Sequence, residues 1–394
     1  MSFDVAVIGA GPAGMMAAYR AALRGLSVVV YDSNQKCGRK LRITGKGRCN
    51  ITNNCDVKEF MSNIPGDGRF LYSAVNRFSM QDVMAFFEAE GLPLKTERGN
   101  RVFPVSDNAN DVADLLTGLL KRQGVVIKRK TLKSLDEAEG EAVIIATGGC
   151  SYPLTGSTGW GINQAQKLGH NVIPPSPSLV PLESDDSYCR DLQGFSLKNV
   201  TLRAYEGDKL IFKELGEMLF THFGVSGPLV LSASAHMRGF GEKQYHLEID
   251  LKPALDEKAL DSRILRDFSE YSNRQFINYL PKLTGKSMAE VVCSLSGIPG
   301  STPCHDITRE QRHGLERVLK AFPVSVSGTR PIDEAIVTAG GVDTREINPR
   351  TMQSLINPKY YFAGEILNLD AYTGGFNLQI AWSTGFVAGE EVLK

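Results

Sequence analysis

The sequence predicts an α/β fold in which both ends of the chain build one parallel-sheet domain and the middle supplies an inserted module. Three observations predict it. The chain opens on an apolar strand that runs into a glycine-rich helix start, Val5-Ala6-Val7-Ile8-Gly9-Ala10-Gly11-Pro12-Ala13-Gly14. Alternation with period two is confined to the middle, from about residue 190 to 254. Glycine-punctuated α/β character returns after about residue 330 and ends in a helix from about Phe376 to Val392.

The opening segment carries the spacing of a dinucleotide fingerprint, with a strand before it, a helix over Pro12–Leu23 after it, and an acid, Asp32, closing the next apolar run Val28-Val29-Val30-Tyr31. Gly9 permits the tight turn, Gly11 lets a pyrophosphate approach the backbone, and Gly14 allows close helix–strand packing. Asp32 is placed to accept hydrogen bonds from ribose hydroxyls, and the free N–H groups of the helix start favour the phosphates.

Further along, Met80, Val83, Met84 and Phe87 share a helical face, as do Val112, Leu115, Leu116 and Leu119. Val125-Val126-Ile127 and Ala142-Val143-Ile144-Ile145 read as buried strands, the second ending in the turn Ala146-Thr147-Gly148-Gly149. Pro174-Pro175-Ser176-Pro177 reads as a stiff connector. Beyond it Val200, Leu202 and Ala204 alternate with polar residues, Glu206–Lys209 supplies a turn, and Tyr245, Leu247, Ile249 and Leu251 alternate again. From about 256 the period is helical, through Leu260, Ile264, Phe268 and Tyr271, and Thr308 with Gln311 forms a capping box. These stripes are core positions. The expected domains are therefore 1–185 with 331–394, a β subdomain over 186–254 and a helical subdomain over 255–330.

Composition narrows the function. The 44 basic and 44 acidic residues cancel, so no global field draws the chain to nucleic acid or an anionic membrane. No apolar run is long enough for a spanning helix, and a core strand begins within a few residues of Met1, where a secretion signal would lie. Seven cysteines without a Cys-x-x-Cys pair fit reduced thiols in a cytoplasmic protein, and no metal site is expected.

The segment from Gly38 to Arg48 packs five cations and three glycines into eleven residues, directly after the ribose acid. Such a loop lets backbone approach a flat or phosphorylated ligand and offsets its charge; a solvated basic loop is the competing reading. The longer run from Gly38 to Asn53 resembles a bacterial FAD-binding flavoprotein family that includes aminoacetone oxidases and bile-acid-type ene reductases. Gly68-Arg69-Phe70-Leu71-Tyr72-Ser73, Arg101-Val102-Phe103-Pro104-Val105-Ser106, Leu219 to Pro228, Phe362-Ala363-Gly364-Glu365 and Thr373-Gly374-Gly375-Phe376-Asn377 extend the resemblance over essentially the whole chain. The first two of these lean towards the aminoacetone-oxidase branch.

The resemblance implies FAD, held in a Rossmann-like domain split between the two ends, with a β-plus-helical module on the substrate side. It implies that Gly9, Gly11, Pro12, Ala13 and Gly14 line the pyrophosphate, and that Asp32 and Ser33 hold the adenosine ribose. Arg39 and Lys40 fall near the phosphates, and Gly47, Arg48, Cys49 and Asn50 beside the flavin ring. Leu132 falls at the adenine side, Thr147 and Gly148 at the nucleotide turn, and Gly364 and Glu365 at the ribityl and pyrophosphate portion. Gly374, Gly375, Phe376, Asn377 and Leu378 start the last helix, whose N-terminus suits the negative charge that reduced flavin develops at its N1–C2 edge. Two departures stand out: Asp32 occupies a position where such folds more often carry Glu, and only seven residues separate Leu135 from Val143, too few for a three-stranded crossover.

Catalytic assignments are His222, Arg48, Tyr152 and Tyr372. His222 either exchanges a proton over the flavin or hydrogen-bonds a turn; the two tyrosines either wall the substrate pocket or pack; Arg48 either holds the flavin carbonyl edge or a substrate carboxylate. Cys49 reads as a small packing residue. The first functional expectation is an oxidase of a small amine such as aminoacetone, with O2 as acceptor and H2O2 as product. The alternative is an NAD(P)H-dependent reductase of an enone-type small molecule, and the third is a flavin carrier without turnover. No second strand–G-x-G-x-x-G–helix occurs in the interior, which favours the oxidase.

Overall fold

The computed structural model describes residues 3–394 and divides the chain into two compact units, 1–178 with 331–394, and 179–330. The first unit is organised by a five-stranded parallel sheet. Its elements are β1 (Phe3–Ile8), α1 (Pro12–Leu23), β2 (Val28–Asp32), α2 (Ala109–Arg122), β3 (Val126–Arg129), β4 (Gly140–Ile145), β5 (Tyr360–Phe362) and α3 (Phe376–Glu391). The sheet order is β5-β4-β1-β2-β3, with Val5 opposite both Val28 and Ala142, and Tyr361 opposite Ile144. A strand from the distal end of the chain thus completes a sheet begun at the proximal end. The Val5–Val7, Val28–Val30 and Val143–Ile145 stretches are buried, as expected of parallel strands covered on both faces.

Helix α1 packs on α3 through small residues. A Cβ at Gly385 or Gly389 would fall on the carbonyl oxygen of Ala13 or Ala17 respectively, so the two backbones touch. Bulk returns on the other side of α3, where Trp382 is fully buried and donates Nε1 to the Ile51 carbonyl at 2.9 Å. Phe386 stacks on Phe78 with ring centroids 4.5 Å apart. Helix α2 buries Val112, Leu116 and Leu119 on one face, with Asn108 capping its start and Lys121 and Arg122 in its last turn. A three-stranded antiparallel sheet, Thr52–Asn53, Arg101–Pro104 and Leu94–Glu97, carries the segment after the basic loop. Strand β4 follows β3 with no intervening strands.

The proline segment departs from the expected connector. Val172–Ser178 is a strand, paired antiparallel with Val337–Val342 in a two-stranded sheet. Pro174 and Pro175 fall at the register shift between Ala339 and Gly341, where the ladder is interrupted and their lack of N–H groups forfeits little.

The second unit holds a seven-stranded antiparallel sheet around the hairpin Ser196–Glu206 and Lys209–Thr221. Tyr245–Asp250 pairs with the first of these strands, and Phe322–Val326 pairs with Tyr245–Asp250. Leu182–Glu183 and Gly328–Thr329 close the other edge. The sheet therefore draws on residues from both sides of the expected division at 254, because Phe322 and Val324 alternate inward after the last helix. The helices Glu257–Glu270, Phe276–Thr284, Lys286–Ser296 and Arg309–Lys320 accompany it, with the shorter Ser187–Asp191 and Pro228–Ser234, and the Thr308–Gln311 capping box opens Arg309–Lys320. Among the described residues no helix is long and apolar enough to cross a membrane.

Candidate cofactor site

Three glycine turns of the first unit converge. Gly9 adopts φ of 100°, and a Cβ at Gly14 would fall on the Gly9 carbonyl oxygen, so the first turn needs glycine at both positions. The Gly9 turn abuts Ala146 and Thr147 of the second, and a Cβ at Gly364 of the third would meet Ala13 Cβ at 2.8 Å. At Gly11 a Cβ would meet nothing within 4 Å: space is left open at the start of α1. That start has Gly11 as N-cap and Pro12 in the first turn, and no side chain among the described residues caps it. By contrast Ser79, Asn108, Asp256 and Thr308 each cap a helix with a side-chain oxygen.

Asp32 acts on the turn itself. Its Oδ2 accepts from Ala10 N at 2.7 Å and its Oδ1 from Asn34 N at 2.7 Å, so the carboxylate fixes the loop, and only its remaining lone pairs face a ribose. Ser33 and Arg39 are exposed, with Arg39 Nη1 donating to Asn34 Oδ1 at 3.2 Å. Leu132 is buried just beyond β3.

Lys40 is paired with the acid of the third glycine turn. Its ammonium donates to Glu365 Oε2 at 2.8 Å and Oε1 at 3.0 Å, and to Ser151 Oγ at 2.6 Å, and is thereby committed to the chain's own acid. Glu365 Oε1 also accepts from Thr338 N at 2.9 Å and Ser151 Oγ at 3.0 Å. Burial opposes ionisation of Glu365, but the Lys40 charge and these donors hold its carboxyl below the ordinary carboxylate value. The Tyr152 ring, in a residue with φ of 52°, lies 6.0 Å from Lys40 Nζ.

Arg48 is also committed. Its guanidinium pairs with Glu97 and, at 2.6 Å, with Asp107, and lies over the Phe103 ring at 4.3 Å. The hydrogen bonds it donates to Glu97 and Asp107 raise its pKa further. Both proposed uses of Arg48 would require this network to open. Next to it, Cys49 is fully buried with φ of 61°, and burial pushes its thiol up to about 12, which suits a packing residue and not a reactive thiolate. Gly47 has open space at its Cβ position.

The last helix starts where the 51–53 segment ends. Gly375 is its N-cap with φ of 101°, no side chain among the described residues caps it, and a Cβ at Gly375 would strike the Thr52 backbone. Asn53 Nδ2 holds the Gly374 carbonyl at 3.0 Å. Asn377 ties the preceding loop, accepting from Ala371 N at 2.9 Å and donating to the Ala371 carbonyl at 2.7 Å. Phe376 is buried against Phe60, Leu378 is half-buried, and Tyr372 N donates to the Asn63 carbonyl at 2.9 Å. His222 belongs to the second unit, where it is exposed beside Phe223.

Three buried side-chain oxygens in this region, Asn50 Oδ1, Asn53 Oδ1 and Thr147 Oγ1, have no hydrogen-bond partner among the described residues. Buried polar atoms are normally satisfied, so these point at a missing ligand. With the open space at Gly11 and two uncapped helix starts, the residues present fit a dinucleotide. Sequence reading missed Ser151, Thr338, Glu97 and Asp107; Thr338 Oγ1, which accepts from Cys150 N at 2.7 Å, sits in a glycine-flanked strand that showed only its strand character.

Residues 3–391 match the family described as HI0933-like protein Rossmann domain. The chain belongs to this family. It is an FAD-dependent oxidoreductase of the Rossmann type. Two curated relatives run the length of it. The ribosomal RNA dihydrouridine synthase of Escherichia coli (strain K12) is 30% identical over 409 residues, covering 99% of this chain and 98% of the relative. The 3-dehydro-bile acid delta(4,6)-reductase of Clostridium scindens is 30% identical over 407 residues, covering 98% of each.

Proposed function

We propose that the chain is an NAD(P)H-dependent reductase of a ring carbon–carbon double bond polarised by a conjugated carbonyl. The observation that carries the reading is that two relatives matched end to end bear names of this chemistry, one a bile-acid reductase and the other a synthase of a dihydro base. Bound FAD supplies hydride acceptance from the nicotinamide and hydride delivery to the substrate. The protein's part is placement. The α1 start binds phosphate through its open N–H groups, Asp32 keeps that turn closed, and the Lys40–Glu365 pair braces the third glycine turn against it. The uncapped N–H groups opening α3 would stabilise negative charge on the bound ring, and Tyr152 and Tyr372 would wall its pocket.

Oxidation of a small amine such as aminoacetone is the second reading, favoured by the lack of a second dinucleotide fingerprint in the interior of the sequence. One experiment separates them. The purified yellow protein is kept without oxygen and mixed with NADH, NADPH or aminoacetone. Bleaching by a nicotinamide, with colour restored by a cyclic enone, supports the reductase; bleaching by the amine alone, with peroxide on admitting air, overturns it. A small-molecule acceptor is the expected substrate, and restoration of colour by uridine-containing ribosomal RNA but by no enone would replace it with a base in RNA.

A further inference from the structure

We propose that Asp261, His313 and Glu316 form a site for one divalent metal ion of the zinc class, clamping two helices of the second unit. Asp261 lies on the helix Glu257–Glu270, and His313 and Glu316 lie one turn apart on Arg309–Lys320. One ligand atom from each comes within 4.8 Å of the other two, with His313 Nδ1 at 2.9 Å from Glu316 Oε2. The independent sign of a ligand is Glu316 itself. The residue is only 8% exposed, and its Oε1 accepts no hydrogen bond from any described residue. The Arg312 Nε is 3.9 Å from that oxygen and is already bonded to Asp261 Oδ1 at 2.5 Å.

Two carboxylates and an imidazole thus face one another, Arg312 offsets Asp261, and the one Glu316 oxygen left without a donor would be satisfied by a bound cation. The imidazole selects the zinc class over magnesium or calcium, whose sites are built from oxygen alone. Three protein ligands leave a fourth tetrahedral position for water. His313 is 40% exposed and gives the ion a way in. Binding through Nδ1 places the ring proton on Nε2, which releases the exposed Arg309 from its 3.2 Å bond to that nitrogen.

The test uses the full-length flavin-loaded protein, stripped with chelator and titrated with Zn2+ alone. One equivalent is expected to remain after desalting. Affinity is expected to fall at least tenfold in His313→Ala and in Glu316→Gln, and to be unchanged in His305→Ala. Asp261→Asn, which preserves shape, is expected to weaken binding while leaving the far-ultraviolet circular dichroism unaltered. X-ray absorption at the zinc edge is expected to show only nitrogen and oxygen donors at about 2.0–2.2 Å. No retained zinc, binding indifferent to His313 and Glu316, or a sulfur shell would each overturn the assignment.

Discussion

Lys40 and Arg48 stand eight residues apart in one basic segment, and the structure uses them in opposite ways. The Lys40 side chain is 20% exposed, and its partner Glu365 is reached across 325 residues of sequence in the interior of the first unit. Arg48 is more open and meets Glu97 and Asp107, 49 and 59 residues away, at the surface. A cation half withdrawn from water is stabilised only while its partner and donors remain, and removing one partner strands the other charge. A cation at the surface loses little when its partners go, because water and salt replace them. Residue type and spacing in a basic loop therefore do not tell which cation braces the fold and which only trims its surface.

Four experiments sharpen or break this comparison. The largest effect is expected for Lys40→Met, which leaves the Glu365 carboxylate with only Ser151 and Thr338 as donors; urea denaturation should show a loss of about 3 kcal/mol, with weakened flavin retention. A loss no greater than that of Arg48→Ala would break the contrast. Next comes pH. The folded-state pKa of Glu365 lies below its ordinary 4.5, so the stabilisation is complete above that value and is lost as pH falls through the lower folded value. Glu365→Gln should flatten that acid limb of the stability curve. For Arg48→Ala the denaturation midpoint should move only slightly, and the small change should vanish in 0.5 M salt; a salt-resistant loss would show that the surface network carries more than charge. Smallest of all is the native response of Cys49 to a thiol reagent at pH 8. With its thiol pushed up to about 12, it should label only as the chain unfolds, as followed by mass spectrometry of the labelled peptide.

Much of the fold was legible where its signals are local. The strand–turn–helix of Val5 to Leu23 sits where the spacing puts it, the Thr308–Gln311 cap forms, and the last helix begins at Phe376. The proline strand was not legible, since prolines read as breakers unless one knows that the ladder is interrupted where two of them fall. The partners of Lys40 and Arg48 were not legible either, because each acid comes from a distant segment whose own pattern says only strand or turn. The same holds for Thr338, which fixes the loop after Gly148 from 187 and 188 residues away.

The close passage of α3 over α1 has a consequence for how the molecule comes into being. The groove beside Ala13 and Ala17 is shaped for a helix that a ribosome delivers only after residues 179–330 have emerged. During synthesis the opening strands must wait, incomplete, with an apolar helix flank uncovered, while the intervening unit acquires its own sheet. The nucleotide cradle is thus among the last features to close, and any shortage of time or chaperone assistance would be felt there first.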